Sequence, residues 1–168
     1  MVIYMMPITS KCSKYSMSNN LLLGKAIHLA LDAHGQQLDK AGMLYILHPL
    51  HVMDQVQGID AKIVAVLHDV VEDCNFEVRH ETSSLFDVSA NTHWQFPKHI
   101  IKAIDAITKR KLEKNVAYWQ RVKDSPLALR VKLADIAHNS SEERLAALPM
   151  EEQEYLRSKY AKARIFLT

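Results

Sequence analysis

The densest group of chemically capable residues is the hexapeptide HDVVED at 68–73, which ends a segment that is otherwise almost entirely apolar. Residues four apart share one face of a helix, so a continuous helix would place His68 above Glu72. Asp69 would lie above Asp73 in the same way. The spacing therefore predicts a compact cluster of one imidazole and three carboxylates.

A divalent cation would resolve the electrostatic problem that such a cluster creates. Burying several carboxylates without compensation is strongly unfavourable, whereas imidazole nitrogen and carboxylate oxygen are good ligands for zinc, manganese, iron or magnesium. The alternative is a solvent-exposed polar helix end that happens to contain a His-Asp dipeptide. The dipeptide alone does not decide between the two interpretations.

Two more polar residues interrupt apolar segments elsewhere in the chain. His48 follows Tyr45-Ile46-Leu47 and precedes Pro49, and Asp135 lies within VKLADIA. For each residue alone, a capping or hydrogen-bonded structural role is the simpler interpretation. Considered together with the His-Asp dipeptide, the three segments favour metal ligation.

The composition predicts that these residues are positioned by an all-α, compact multi-helix fold. The 168 residues are 48% hydrophobic and 24% charged, which is typical of globular domains. Glycine is scarce, and long segments lack both glycine and proline. We expect one domain over 20–168, preceded by a poorly ordered N-terminal tail over 1–19.

Apolar residues at helical spacing predict the individual elements. A first helix follows Asn20, and a second opens at Pro49, which suits a first helical turn, and stops at Gly58. A third, over 61–73, is apolar almost all round and should run through the core. Four further helices are expected at 98–108, 114–123, 126–139 and 151–167.

The segment from Asn75 to Pro97 has mixed polarity and is predicted to be a loop, with one short helix from Val78 to Phe86. His80, His93 and His99 lie in or beside this segment. Their positions fit surface or core histidines better than ligands.

Charge and cysteine content limit the possible partners. The formal net charge is +2 and the basic residues are dispersed among acidic ones, so no nucleic-acid partner is expected. Cys12 and Cys74 match no thiolate metal spacing, which fits a reducing cytoplasm. The N-terminal stretch makes a poor signal peptide, and no apolar run approaches the roughly 20 residues of a membrane-spanning helix. A cytoplasmic location without membrane association is expected, and the oligomeric state stays open.

The order His, His-Asp and a distant Asp resembles the ligand pattern of the HD-domain phosphohydrolases. The wider segments AHGQQLDKAGMLYILHPLHVM, VLHDVVEDCN, AITKR and LRVKLADIAHNS are similar to the hydrolase domain of the alarmone (ppGpp) synthetase/hydrolase family. They are more similar still to its small single-domain bacterial relatives. The resemblance covers about Leu21 to Leu148, and KYAKA near the C-terminus is also familiar.

This resemblance implies a role for each matched residue. The metal, usually manganese in this family, would be held by His48, His68, Asp69 and Asp135. Glu72 and Asp73 would position or activate the attacking water, because a carboxylate there can orient the water or accept its proton. Asn139 would line the nucleotide pocket, and Lys40 would contribute a basic group near the substrate.

Other basic residues are candidates to offset phosphate charge, although a solvated surface position is the simpler interpretation for each: Lys109, Arg110, Arg130 and Lys132. His34 recurs in the family segment, where it could support a ligand through a hydrogen bond or simply end a helix.

Three functions remain open at this stage. The first is hydrolysis of a phosphate or pyrophosphate on a nucleotide, with a ppGpp-like 3′-pyrophosphate as the first candidate. The second is a phosphomonoesterase acting on another nucleotide, because Asp39 and Leu44 depart from the alarmone hydrolase pattern. The third is a non-catalytic, metal-dependent nucleotide-binding module.

Overall fold

The computed structural model describes residues 19–73 and 96–168, and within these ranges the fold is all-α as predicted. The regular elements are helices joined by short connections, with one isolated antiparallel bridge between Leu38 and Leu44. In chain order the helices are α1 (Asn19–His34), α2 (Leu47–Asp54), α3 (Ile59–Leu67), α4 (Val70–Asp73), α5 (Lys98–Ile107), α6 (Asn115–Lys123), α7 (Pro126–Asn139), α8 (Glu142–Leu145) and α9 (Met150–Leu167).

Apolar spacing located most of these helices well. The bounds of α7 coincide with the predicted segment, and α9 begins one residue earlier than predicted. The short helix α8 was not predicted, because four residues are too few to establish a period. The start of α8 nevertheless has a local cause, because the Ser141 side chain caps the helix by accepting a hydrogen bond from the amide of Arg144.

The prediction of one continuous helix over 61–73 is wrong. The structure ends α3 at Leu67 and begins α4 at Val70, so His68 and Asp69 form a junction between two helices. Nδ1 of His68 donates a hydrogen bond of 2.7 Å to the carbonyl oxygen of Ala65. In a continuous helix that oxygen would accept from the amide of Asp69, so the side chain competes with the helical ladder at this point.

Gly58 acts differently from the prediction. The second helix already ends at Asp54, and Gly58 precedes the first residue of α3 with φ of 89°. This left-handed conformation is one that residues with a Cβ rarely adopt, so glycine allows the sharp turn between α2 and α3.

Helix α3 runs through the core, as its sequence predicts. Its residues Ala61 and 63–67 are buried, and they pack in one cluster with side chains of α1, α2, α5 and α7. A second cluster, which includes Tyr118, Ile136 and Leu167, fills the space between α6, α7 and α9. Helix α7 joins both clusters and packs against α2, α3, α5, α6 and α9. It is the element that brings distant segments to one site.

Several predictions fall outside the described residues. They concern the N-terminal tail, apart from Asn19, the short helix from Val78 to Phe86, both cysteines, His80 and His93. Of the predicted site residues, the side chain of Asp73 also lies outside the described part. None of the described helices is long and apolar enough to cross a membrane.

Candidate active site

Four side chains predicted as metal ligands converge where α2, α7 and the junction between α3 and α4 meet. Nε2 of His48 lies 3.1 Å from Oδ1 of Asp135 and 3.6 Å from Oδ2 of Asp69. Nε2 of His68 lies 3.0 Å from Oδ2 of Asp69 and 3.6 Å from Oδ1 of Asp135. Two imidazole nitrogens and two carboxylate oxygens therefore face a common centre.

Three of the four residues form the tight part of this cluster. His48, His68 and Asp135 are buried, and the atoms they offer lie within 4.8 Å of one another, so that these groups could hold a metal ion. Asp69 is at the edge, with 20% of its side chain exposed. The hydroxyl of Tyr45 donates a 2.5 Å hydrogen bond to Oδ2 of Asp69, which fixes the carboxylate in place.

The tautomer that neutral His68 adopts suits metal ligation. Because Nδ1 carries the proton donated to Ala65, a neutral ring has its lone pair on Nε2, directed at the carboxylates of Asp69 and Asp135. Nε2 is fully buried and has no hydrogen-bond partner among the described residues. A lone pair facing carboxylates is repulsive, and either a proton or a metal cation at this point would relieve the repulsion. The donor set therefore fits a divalent ion.

The carboxylates perturb the titration of the ring accordingly. Burial opposes the charged form of His68, but the charges of Asp69 and Asp135 outweigh burial and raise the pKa of His68 to about 10. Burial likewise raises the pKa of Asp69, yet the charge of His68 dominates and the net shift of that pKa is downward. A metal cation would compete with the proton on His68 for the same position.

Asp135 is held by groups on its own helix, α7. Its Oδ2 lies 2.7 Å from Nζ of Lys132, and its Oδ1 accepts a 2.6 Å hydrogen bond from Nδ2 of Asn139. Burial would raise the pKa of Asp135, but the charge of Lys132 and the contacts to His48 and His68 hold that pKa well below its usual range. The carboxylate is ionised and therefore able to bind a cation.

His138 is a site residue that sequence reasoning missed. Its Nδ1 lies 2.8 Å from Nδ1 of His48, and its ring stacks on that of His51 with centroids 3.8 Å apart. Burial and the charges of His48 and His51 lower the pKa of His138 to about 3, so the ring is neutral and can accept the proton of His48. The only sequence signal was the helical spacing of Asp135 and His138, three residues apart on α7.

His34 also supports this region, from outside the candidate ligand cluster of His48, His68, Asp69 and Asp135. The residue is buried, its Nδ1 lies 2.7 Å from Oε1 of Gln37, and its ring lies 5.0 Å from that of Tyr45. His34 thus packs against the tyrosine that fixes Asp69.

A cavity of about 290 Å³ adjoins the ligand cluster. Asn139, predicted to line a nucleotide pocket, is one of its lining residues. Glu72 is another, and its Oε2 accepts a 3.0 Å hydrogen bond from the amide of Lys109. The remaining charged and aromatic lining residues are Asp69, Asp135, Lys109, Lys132, Lys159, Tyr45, Tyr118, Trp119 and Tyr160.

The basic candidates divide into two groups. Lys109 and Lys132 line the cavity. Lys40 is exposed and pairs with Glu152, Arg110 lies 3.4 Å from Asp105, and Arg130 donates to the carbonyl of Gln57, so these three have partners elsewhere. Contact between Lys40 and a substrate stays a prediction.

Known proteins resemble this chain in sequence and in structure. No protein-family model matches the chain. A probable GTP pyrophosphokinase of Mycobacterium leprae (strain TN) is 26% identical over 152 residues, which cover 83% of this chain. The chain spans only 18% of that relative's length.

A solved structure provides the second comparison. It is that of a metazoan ortholog of SpoT that hydrolyses ppGpp and plays a role in starvation responses. The two folds match with a TM-score of 0.63 and 19% sequence identity, over 92% of this chain and 86% of that one. The predicted resemblance to the alarmone synthetase/hydrolase family is confirmed. At this level of identity the match establishes the all-helical fold of that hydrolase for this chain.

Proposed function

We propose that the chain is a metal-dependent phosphohydrolase that removes the 3′-pyrophosphate from a ppGpp-like nucleotide. The observation that carries the proposal is the convergence of two imidazoles and two carboxylates beside a cavity that also holds Glu72 and three lysines. Such a cavity combines ligands for a cation with groups that attract phosphate. The fold shared with a ppGpp hydrolase supports the same activity.

In this proposal His48, His68, Asp69 and Asp135 hold the ion, and manganese is the first candidate because of the family resemblance. A divalent ion bound there would supply positive charge that polarises a phosphoryl oxygen and makes water more acidic. His138 is a positioning residue, since its bond to Nδ1 of His48 leaves Nε2 of that ring free to ligate.

Glu72 is the proposed general base. The Lys109 amide binds one of its oxygens and thereby restricts the orientation of the carboxylate at the cavity. The carboxylate would accept the proton of the attacking water. Asp73 is proposed as the second carboxylate of this pair, on the basis of the resemblance.

The contacts of Asp39 weaken one of the two observations on which the phosphomonoesterase alternative rested. That alternative rested on Asp39, an acidic residue where a basic one would meet phosphate, and on Leu44. Oδ1 of Asp39 instead accepts hydrogen bonds from the amides of Ala41 and Met43, and Oδ2 lies 3.4 Å from Arg144. The carboxylate is engaged in holding its own loop against the segment that contains α8, so its presence does not argue against a ppGpp-like substrate.

A nucleotide panel tests the proposal. Manganese-loaded protein is incubated with ppGpp, GTP, GDP and nucleoside monophosphates, and pyrophosphate and orthophosphate are measured separately. We expect pyrophosphate from ppGpp, none from Asp69→Ala, and at least a hundredfold lower kcat for Glu72→Gln with retained metal, in line with general base catalysis.

Each other outcome has a defined meaning. Orthophosphate from a monophosphate would identify the phosphomonoesterase. Tight nucleotide binding with turnover no higher than that of Asp69→Ala would identify the non-catalytic binding module. Either result would refute the proposed activity.

A further inference from the structure

The peptide unit that joins Thr108 to Lys109 is held from both sides. Its carbonyl oxygen accepts a 3.1 Å hydrogen bond from the guanidinium of Arg121, and its N–H donates a 3.0 Å hydrogen bond to Oε2 of Glu72. The unit is trans, so it is planar and its C=O and N–H point in opposite directions. One rigid group therefore connects the guanidinium with the proposed general base.

The end of α5 lacks the usual local means of satisfying its carbonyl groups. Helices commonly end at a glycine in the left-handed conformation, which lets the next amides bind the last carbonyls. Helix α5 ends instead at Ile107, and the next residue, Thr108, is extended with φ of −74° and ψ of 118°. The amide and the hydroxyl of Thr108 both donate to the carbonyl of Ile104. The carbonyls that follow Ile104 therefore need donors from another element.

Helix α6 supplies those donors from two side chains on one face. Arg121 binds the carbonyl oxygens of residues 105 and 106 in addition to that of Thr108. Tyr118, three residues earlier, donates a 2.6 Å hydrogen bond to the carbonyl of Ile107. The carboxylate of Glu113 lies 2.6 Å from the guanidinium and holds it in place. Four consecutive carbonyls are thus fixed by α6.

Charge reinforces the connection between Arg121 and Glu72. Hydrogen bonds in a chain polarise one another, so a cation at the carbonyl makes the N–H of the same peptide a better donor to a carboxylate. The side chain of Arg121 is 20% exposed, so water screens its charge only in part. Glu72 is exposed at the cavity, and an exposed side chain samples several rotamers unless contacts restrict it.

We propose that Arg121 is a positioning residue for Glu72 and acts through the peptide unit between Thr108 and Lys109. Arg121 is not one of the described residues that line the cavity, so its contribution to catalysis is indirect. It fixes the direction of the Lys109 amide, which restricts one carboxylate oxygen and leaves the other for the attacking water. The inference rests on the proposed function, because that function makes Glu72 the base.

The first test is structural and needs neither metal nor turnover. The amide signal of Lys109 is followed by NMR in metal-free protein, where the proton shift reports the hydrogen bond to the carboxylate. Glu72→Gln should move this signal, because a neutral amide is a weaker acceptor than a carboxylate. In protein that carries Arg121→Met, most of that change should be lost. An undiminished change would overturn the inference.

The second test is a double-mutant cycle on kcat for ppGpp with manganese-loaded protein. Arg121→Met alone should lower kcat about tenfold to a hundredfold, the effect of displacing a catalytic group by up to about 1 Å. In protein that carries Glu72→Gln, the same change should lower kcat less than about threefold, because residues that act through one another are not additive. Equal losses in the two backgrounds would assign Arg121 to stability alone and refute its positioning role.

Leu22→Ala is the matched control for lost stability. Leu22 is buried near the start of α1, and its truncation leaves a cavity in the core. At a temperature where the variants are folded, Leu22→Ala should change neither the Lys109 signal nor kcat, and effects equal to those of Arg121→Met would contradict the inference.

Arg121→Lys tests whether charge alone is sufficient. Lysine keeps the charge but lacks the planar fork of donors, so this variant should fall between wild type and Arg121→Met in both tests. If Arg121→Met does not fold, as judged by circular dichroism, Arg121→Lys gives the same comparisons.

The two tests separate this inference from the proposed activity. Should the wild-type protein fail to cleave ppGpp, the NMR measurement still decides whether Arg121 orients the amide that binds Glu72. Should it cleave ppGpp with additive effects of Arg121→Met and Glu72→Gln, only the present inference fails.

Discussion

Arg121 provides a test of the structure that does not depend on any assumed activity. Its guanidinium donates to the carbonyl oxygens of Asp105, Ala106 and Thr108, at distances of 2.5, 2.9 and 3.1 Å. These carbonyls belong to the last turn of α5 and its first flanking residue, where helical partners are missing. Two further hydrogen bonds, of 3.3 and 2.6 Å, join the guanidinium to both carboxylate oxygens of Glu113.

The change Arg121→Met retains much of the side-chain volume and removes all five hydrogen bonds. Breaking a fully buried ion pair costs about 3–5 kcal/mol, and the side chains of Arg121 and Glu113 are 20% and 14% exposed, which reduces that figure. We expect the free energy of unfolding to fall by about 2–4 kcal/mol. For a chain of this length, that corresponds to a decrease in Tm of roughly 4–16 °C.

Urea denaturation followed by circular dichroism measures the change. The matched control is Arg157→Met, because Arg157 pairs with Glu142 on the surface and we expect its loss to leave stability unchanged within error. A loss for Arg121→Met no larger than that of the control would refute the assignment of Arg121 as the group that holds the end of α5.

The pH dependence gives a second measurement on the same contact. Burial would raise the pKa of Glu113, but hydrogen bonds from the amide of Arg110 and from Arg121 outweigh it and lower that pKa below its usual range. The resulting stabilisation is complete above the unfolded-state pKa of about 4.5 and is lost as the pH falls through the folded-state value. The stability difference between wild type and Glu113→Gln should therefore be largest near neutral pH and shrink below about pH 4.

Three further predictions concern a turn and the proposed metal site. Leu112 is 97% exposed with φ of 65°, so Leu112→Gly should raise the free energy of unfolding by about 0.5–1 kcal/mol in urea titrations, and a decrease would contradict the strained backbone. His138→Leu should weaken manganese binding roughly 10–100-fold by calorimetry, because His48 loses its hydrogen-bond partner. His138→Asn keeps an acceptor and should bind more nearly like wild type, so equal losses would argue against the hydrogen bond. Manganese at about 100 times its Kd should stabilise the wild-type protein by about 2.7 kcal/mol, or roughly 5–11 °C in Tm. Asp135→Asn should abolish that shift, and an equal shift in the variant would place the metal elsewhere.

Sequence alone located most of the helices and identified the candidate ligands. Helix α7 was located by apolar spacing, and Pro126 at its first position is a second local signal of the same helix. The candidate ligands His68 and Asp135 were identifiable because each interrupts an apolar helix, where an unpaired polar group is unfavourable. These features depend on neighbours within a few turns and are therefore visible in the chain itself.

The tertiary structure decided which side chains surround those ligands. His138 contacts His48 across 90 residues of sequence, and nothing local to either residue indicates the pair. Lys40 was predicted to lie near the substrate and Lys159 was not, yet packing of α9 brings Lys159 to the cavity while Lys40 pairs with Glu152. The break in the helix at His68 could be recognised only in the structure. The spacing of apolar residues carries no information about a side chain that hydrogen-bonds to a backbone carbonyl. Local spacing determines helices and their polar interruptions, whereas the partners of a charged group depend on how the helices pack.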